Sequence, residues 1–169
     1  SGLRKIFVLT QYRSSSLARH VQEGWGISSS GLDEFIYCVP AQQKTGIDWY
    51  RGTADALRQN LDLIIGRDVD NILILSGDHI YKMDYRQIYK FHKDRNADLT
   101  ISAVRVNKDN AAGALGVVEA DESWRIVGFE EKPLNPKTMK NDQEHSLVSM
   151  GIYIFKTDTL IDVLKREEA

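Results

Sequence analysis

Short apolar clusters alternate with polar stretches along the first part of the chain. Residues 6–9, 35–39 and 72–75 are apolar without a break. Strands that are buried on both faces of a parallel sheet have this unbroken pattern, whereas strands with one solvent-exposed face alternate apolar and polar residues. The clusters therefore predict inner strands of a parallel sheet.

The segments between the clusters carry apolar residues at helical spacing. Residues three or four apart in sequence share one face of a helix. The stripes are Leu17, Val21 and Trp25; Leu57, Leu61, Ile64 and Ile65; and Tyr85, Ile88, Tyr89 and His92. Thr53 is the predicted N-cap of the second helix. Strand and helix thus alternate repeatedly, which predicts βαβ units and a doubly wound, Rossmann-like α/β fold.

The second half of the chain changes rhythm. A strand at residues 99–106 is followed by residues 116–119 and 126–129, which flank a turn-like segment and predict a β-hairpin. Residues 133–145 predict a surface loop, which precedes a strand at 148–155 and a helix that begins near Thr157. A hairpin beside parallel strands predicts a mixed sheet.

Composition and charge narrow the classes of function. The 22 basic and 24 acidic residues leave a formal net charge of −2, which provides no strong field to attract nucleic acid or an anionic membrane. No apolar run approaches the roughly 20 residues that span a bilayer. The single cysteine, Cys38, excludes an intrachain disulfide. These features predict a cytoplasmic protein with no nucleic-acid or membrane partner.

Candidate chemistry lies beyond the carboxyl ends of the predicted strands, where ligands collect in open α/β sheets. The third apolar cluster is followed by Ser76, Gly77 and Asp78. The glycine lets a ligand approach, and the carboxylate of Asp78 is placed to hold a hard cation such as magnesium. Taken by itself, Asp78 is explained equally well as an aspartate that caps the next turn.

Two further motifs carry weaker signals. Tyr50, Gly52 and Thr53 join an aromatic ring to a glycine at a helix start, which suits stacking on a base and exposing backbone N–H groups to a nucleotide, although an ordinary capped helix has the same pattern. Glu131 and Lys132 suit sugar hydroxyls and a phosphate, although surface strands often end in charged residues. No histidine has the spacing of a zinc site.

Five longer segments resemble the bacterial glucose-1-phosphate adenylyltransferases, or ADP-glucose pyrophosphorylases. They are TQYRSSSLARHVQEGW at 10–25, WYRGTADALRQNLD at 49–62, SGDHIYKMDY at 76–85, GFEEKP at 128–133 and SMGIYIF at 149–155. The resemblance implies the mixed sheet of a sugar-phosphate nucleotidyltransferase. It also implies transfer of an adenylyl group from ATP to glucose 1-phosphate, with magnesium as cofactor and ADP-glucose and pyrophosphate as products.

The resemblance assigns catalytic and nucleotide-binding roles to residues in these motifs. Asp78 would bind magnesium and orient the nucleotide, and Lys132 would bind the phosphate of glucose 1-phosphate. Tyr50, Gly52 and Thr53 would contact the adenosine. Because no covalent intermediate is needed, such residues would act by positioning anions and neutralising charge.

The same resemblance assigns further contacts to residues outside those motifs or at their edges. Gly116, Glu131 and Ser149 would face the glucose. Gln42 would lie near the nucleotide, and with Gln43 it would belong to a PAQQ loop that is associated with allosteric signalling.

The resemblance also sets expectations for the extent of the chain. Such enzymes carry a glycine-rich loop after their first strand and a C-terminal left-handed β-helix domain, and residues 3–169 show no counterpart of either. Residues 3–169 would then be a partial catalytic domain, weakly active or inactive and homo-oligomeric, and residues 1–2 the remnant of a tag. The alternatives are a non-catalytic binding or regulatory module, or a nucleotidyltransferase for another sugar or base.

Overall fold

The computed structural model of the chain describes residues 3–11, 14–25, 34–42 and 49–166. The chain divides into two compact units. The first comprises Ser1–Asp68 with Leu160–Ala169, and the second comprises Val69–Thr159. Gln43, which the sequence places in the PAQQ loop, lies outside the described residues.

The first unit contains a parallel pair of strands joined by a helix. The strands β1 (Lys5–Thr10) and β2 (Phe35–Pro40) pair in parallel along their whole length. The helix α1 (Ser15–Trp25) connects them, so the predicted first βαβ unit is confirmed. The guanidinium of Arg67 lies 5.0 Å from the ring centroid of Phe7, and this cation–π contact packs the chain around Arg67 on β1.

The second predicted helix is shorter than its apolar stripe. The helix α2 comprises Thr53–Gln59, and Asn60 is its C-cap residue. A 3₁₀ turn, Leu61–Leu63, follows. The side-chain amide of Asn60 donates to the carbonyl of Ala56 at 2.8 Å, one turn back. An asparagine that bonds the backbone in this way competes with helical continuation, so the stripe extends past the end of the helix.

The predicted N-cap of this helix was wrong. Thr53 is the first helical residue, and the cap residue Gly52 has an extended backbone and no side chain to offer. The carboxylate of Asp55 serves the helix start instead, because it accepts the backbone N–H of Arg51 at 2.9 Å. An acidic residue in the first turn also favours the positive end of the helix dipole.

The second unit is built around one long strand, β7 (His145–Lys156). The other elements of this unit are, in chain order, β3 (Asn71–Leu75), α3 (Tyr85–Asp94), β4 (Leu99–Asn107), α4 (Lys108–Ala111), β5 (Val117–Ala120) and β6 (Ile126–Glu130). The helix α5 (Thr157–Arg166) follows β7, and its residues from Leu160 onward belong to the first unit.

The sheet of this unit has the order β3-β7-β5-β6, and β4 also pairs with β7. Since β4 runs along one edge of β7, β3 and β5 share the other edge. Every ladder that the structure describes in this sheet is antiparallel. The sequence pattern favoured a parallel neighbour for residues 72–75, whereas the observed ladder of β3 is antiparallel. With the parallel pair of the first unit, the predicted mixed α/β fold is confirmed.

The predicted helix at Tyr85 and the predicted hairpin are both present. Ile88 of α3 packs with Ile152 and Ile154 of β7 in a buried cluster. The hairpin joins β5 and β6 through a turn in which the carboxylate of Asp121 accepts two backbone N–H groups, those of Ser123 at 2.9 Å and Arg125 at 3.0 Å. Aspartate is favoured in turns for this reason.

His92 lies in the last turn of α3 and fixes that end of the helix by two side-chain contacts. Its ring is 1% exposed; Nδ1 lies 2.8 Å from Thr100 Oγ1, and Nε2 lies 3.1 Å from Asn71 Oδ1. A neutral imidazole satisfies both contacts, with Nε2 donating and Nδ1 accepting.

None of the helices in the described parts of the chain is long and apolar enough to cross a membrane.

Candidate functional site

A gap in the sheet beside β7 defines the candidate site. The ladder of β3 covers residues 152–156 of β7, and the ladder of β5 covers residues 147–148 on the same edge. Residues 149–151 of β7 therefore lie between the end of β3 and the start of β5. The ladder between β4 and β7 shifts its register beside this segment, which marks a local bulge.

Backbone hydrogen bonds tie the neighbouring strand ends to this gap. The N–H of Ser76, just after β3, donates to the carbonyl of Gly151 at 3.2 Å. The N–H of Ser149 donates to the carbonyl of Gly116, just before β5, at 2.9 Å. Gly151 has φ 67°, which glycine adopts without strain. Three segments that are remote in sequence thus meet at one place.

Asp78 lies on the β3 side of the gap. Its carboxylate accepts a hydrogen bond from the hydroxyl of Ser76, and this bond, with one from the backbone N–H of Asp78 itself, lowers its pKa below the ordinary aspartate value. The next residue, His79, contacts the carbonyl of Met150 at 3.2 Å. Asp78 is exposed and therefore presents an ionised carboxylate to solvent at neutral pH.

Gly116 lies on the β5 side, where a Cβ atom would force two neighbouring side chains to move. A Cβ atom at Gly116 would stand 2.8 Å from Cζ of Phe129 and 3.1 Å from Oε2 of Glu131. The aromatic ring and the carboxylate therefore lie directly against the glycine backbone. The structure brings together Gly116 and Glu131, two of the residues that the family resemblance assigned to glucose, and the carboxylate of Glu131 is a hydrogen-bond acceptor beside the gap.

Ser149 lies in the gap itself. Its hydroxyl accepts the N–H of Gly151 at 3.2 Å and lies 3.3 Å from the hydroxyl of Tyr153. Tyr153 was missed by the sequence analysis. Its spacing from Ser149 was the available signal, since residues an even number apart tend to share one face of a strand. The phenol adds a second hydroxyl that can bind a polar ligand.

Lys132 directly follows Glu131 and is exposed. Its backbone has φ 47°, a left-handed conformation that is uncommon outside glycine. Residues held in such conformations concentrate at ligand sites, at a cost of about 1–3 kcal/mol. The ammonium is a mobile cation of the kind that binds phosphate as a point charge.

The predicted nucleotide contacts lie in the first unit. The phenol of Tyr50 accepts a hydrogen bond from Nδ2 of Asn60 at 2.8 Å, and its carbonyl accepts one from Nε2 of Gln11 at 3.0 Å. Gln11 follows β1, so the segment beyond the end of this strand reaches Tyr50. Gly52 and Thr53 are exposed at the start of α2. The sequence analysis missed the role of Asn60. Asn60 lies ten residues after Tyr50, and the two side chains meet only because the chain folds back through α2.

Gln42 is exposed after the end of β2. It belongs to the first unit together with Tyr50, Gly52 and Thr53, whereas the magnesium and sugar candidates belong to the second unit. The nucleotide role of Gln42 stays a prediction.

Asp78 is the residue at the gap that could hold magnesium. Within the described part of the chain, no group of three or more histidine, cysteine, aspartate or glutamate side chains gathers as a metal cluster. Magnesium commonly uses only one or two carboxylates and takes its other ligands from water and substrate phosphates. The ionised, exposed carboxylate of Asp78 fits that demand.

The fold agrees with comparisons to known proteins. A family model described as nucleotidyl transferase matches residues 1–169, so the chain belongs to the nucleotidyl transferase family. Within that family it is similar to glucose-1-phosphate adenylyltransferases of Shewanella sp. strain MR-4 and of Shewanella frigidimarina, with 46% identity over 167 residues. These matches cover 99% of this chain and 40% of each relative, so the chain spans less than half of their length.

A solved structure matches the fold at much lower identity. HddC from Yersinia pseudotuberculosis superposes with a TM-score of 0.66 and 16% sequence identity, over 95% of this chain and 60% of that one. This likeness concerns the fold alone.

Proposed function

We propose that this chain provides the sugar-phosphate half of an adenylyl-transfer site, in a protein that converts ATP and glucose 1-phosphate into ADP-glucose and pyrophosphate. The observation that carries the proposal is the convergence of Gly116, Glu131 and Ser149 at one gap beside β7, with Asp78 at its rim. The names of the relatives, which are glucose-1-phosphate adenylyltransferases, support the choice of substrate.

In this proposal the residues at the gap bind the sugar and its phosphate. Glu131 accepts hydrogen bonds from sugar hydroxyls, and the hydroxyls of Ser149 and Tyr153 bind others. The ammonium of Lys132 binds the phosphate. These contacts aim one phosphate oxygen of glucose 1-phosphate at the α-phosphorus of ATP. A bond forms between them, the bond to the bridging oxygen of the β-phosphate breaks, and that oxygen leaves with pyrophosphate.

Asp78 is the residue that would hold magnesium. The cation, when bound, would neutralise charge on the phosphates, as metal ions do in phosphoryl and nucleotidyl transfer. The contribution of the protein is an exposed carboxylate that is ionised at neutral pH.

Tyr50 would support the adenosine part of the ligand. Its ring is held at both ends of the residue, by Asn60 at the phenol and by Gln11 at the carbonyl. A ring that is already fixed loses little entropy when a base stacks on it.

The proposal is tested by ligand-observed NMR of this chain with ADP-glucose, glucose 1-phosphate and ATP, with and without magnesium. A charged hydrogen bond contributes about 1.5–3 kcal/mol, so Lys132→Ala is expected to weaken binding of ADP-glucose about tenfold to hundredfold. Lys140→Ala is the matched control, because Lys140 pairs with Glu122 at 2.8 Å and serves no predicted site role. Loss of binding in both variants, or in neither, would count against the assignment.

Two alternative functions give different results when a UDP-sugar and a dTDP-sugar are added to this set of ligands. A nucleotidyltransferase for another base would bind the UDP- or dTDP-sugar as well as ADP-glucose, so equal affinities would overturn the adenylyl assignment. A non-catalytic module derived from this family would remain folded and bind none of these ligands. The presence of Asp78, Glu131 and Lys132 in one chain favours a transferase over a non-catalytic module, and the adenylyl-type motif around Tyr50 favours ATP over a nucleotide with another base.

A further inference from the structure

We propose that Ser76 is a positioning residue for the candidate site: it holds the carboxylate of Asp78 and ties it to the sugar-facing segment of β7. This inference rests on the proposed function, since it assigns Asp78 to a divalent cation. It names a residue to which neither the sequence motifs nor the comparisons give a role.

The first contact concerns the orientation of Asp78. Asp78 is exposed and follows Gly77, so its side chain would otherwise sample several rotamers. The hydroxyl of Ser76 donates to Oδ1 of Asp78 and selects one of them. The carboxylate is exposed and keeps acceptor sites for a ligand. Hydrogen-bonded neighbours of this kind fix metal-binding groups and raise metal affinity.

The second contact connects Ser76 to β7. Its backbone N–H donates to the carbonyl of Gly151 at 3.2 Å, and the N–H of Gly151 donates to Oγ of Ser149 at 3.2 Å. A Cβ atom at Gly151 would stand 3.2 Å from Cβ of Ser76, so the two residues are packed without spare room. One serine therefore sets the distance between the cation-binding carboxylate and the sugar-binding hydroxyl.

A second serine–aspartate pair shows what a purely structural bond of this type looks like. In the β5–β6 turn, the hydroxyl of Ser123 donates to Asp121 at 2.7 Å. The same carboxylate oxygen also accepts the backbone N–H groups of Ser123 and Arg125, which closes the turn. The carboxylate of Asp78 accepts from Ser76 and its own backbone N–H, and from no other residue that the structure describes. Asp78 is thus oriented while it stays open to a ligand.

The test measures cation binding rather than turnover. Mn²⁺, a paramagnetic substitute for magnesium, is titrated into the ¹⁵N-labelled chain with ADP-glucose present, and the broadening of the amide signals of residues 77–80 and 149–151 reports its affinity. Ser76→Ala is expected to weaken Mn²⁺ about tenfold, the lower end of the range for neighbours of metal ligands, because the site is exposed. Ser76→Thr retains the hydroxyl and is expected to restore most of the affinity.

Three comparisons separate the possible outcomes. Ser123→Ala removes the matched hydroxyl in the hairpin and is expected to leave Mn²⁺ affinity unchanged. If Asp78→Asn leaves Mn²⁺ binding as it was, or the wild-type chain binds none, the metal role of Asp78 and the role of Ser76 both fall. If Asp78→Asn abolishes binding while Ser76→Ala matches wild type, the inference about Ser76 alone is overturned. Thermal unfolding of each variant shows that the fold is retained.

Discussion

An alanine at Gly116 should weaken sugar binding while leaving the fold nearly intact. The new Cβ atom would stand 2.8 Å from Cζ of Phe129 and 3.1 Å from Oε2 of Glu131. A carbon–carbon contact needs about 3.5 Å, so the ring must retreat by about 0.7 Å, and the carboxylate must move as well. Gly116 does not have a left-handed backbone, so alanine adds no strain of conformation there.

Displacing the ring of Phe129 lowers the stability of the fold, whereas displacing the carboxylate of Glu131 lowers the affinity for ligand. The ring of Phe129 is 47% exposed and can turn toward solvent, so the loss of unfolding free energy should be about 1 kcal/mol, the low end for overpacking. The carboxylate of Glu131 would lose its place beside the gap. A hydrogen bond to a charged group is worth about 1.5–3 kcal/mol, so ADP-glucose affinity should fall about tenfold to hundredfold.

The assay is an NMR titration with ADP-glucose, together with urea unfolding, and the same hairpin offers a matched control. A Cβ atom at Gly128 would stand 2.7 Å from Oε1 of Glu119, a similar overlap with a different carboxylate. Glu119 pairs with Lys137 at 2.6 Å and has no predicted ligand role. Gly128→Ala should therefore cost similar stability and leave affinity unchanged. Equal affinity losses in the two variants would show that hairpin distortion, rather than Glu131, controls binding, and an unchanged affinity in Gly116→Ala would refute the reasoning directly.

Three further predictions concern stability. Ser146→Ala should raise the unfolding free energy by about 1 kcal/mol in urea titration, because the buried hydroxyl of Ser146 has no hydrogen-bond partner in the described chain; a loss of stability would contradict this. Gly151→Ala should lower the unfolding free energy by about 1–3 kcal/mol, because Gly151 has φ 67°. Gly24 lies in open space on α1, so Gly24→Ala should raise the unfolding free energy by about 0.5–1 kcal/mol. A calorimetric scan compares the two variants. Burial, followed by the charges of Lys156 and Lys93, lowers the pKa of His92 in the folded chain. The neutral ring therefore contributes fully to the unfolding free energy above the ordinary pKa of 6.5. That contribution is lost as the pH falls below 6.5, by at most about 1.4 kcal/mol per pH unit. Urea unfolding at stepped pH values should show this slope, and His92→Gln should reduce it.

Local patterns determined much of the architecture before any packing was known. The helical stripes located α1 and α3, and the turn residues around Asp121 located the hairpin. These features depend on neighbours in sequence, where side-chain spacing and turn chemistry act directly. The same reasoning misjudged the start of α2, because Gly52 and Thr53 are both acceptable cap residues and only the backbone decides between them. The end of the third apolar cluster selected Asp78, whereas only the family resemblance assigned Glu131 and Ser149 to the sugar.

The tertiary structure decided how these pieces meet. No sequence pattern indicated that β3 and β5 would share one edge of β7, or that residues 149–151 would lie between them. The contact of Ser76 with Gly151 and the environment of His92 also appear only after that pairing. The reason is physical: strand pairing is fixed by burial and hydrogen bonding between segments far apart in sequence, and the pattern within one strand specifies its faces but not its neighbours.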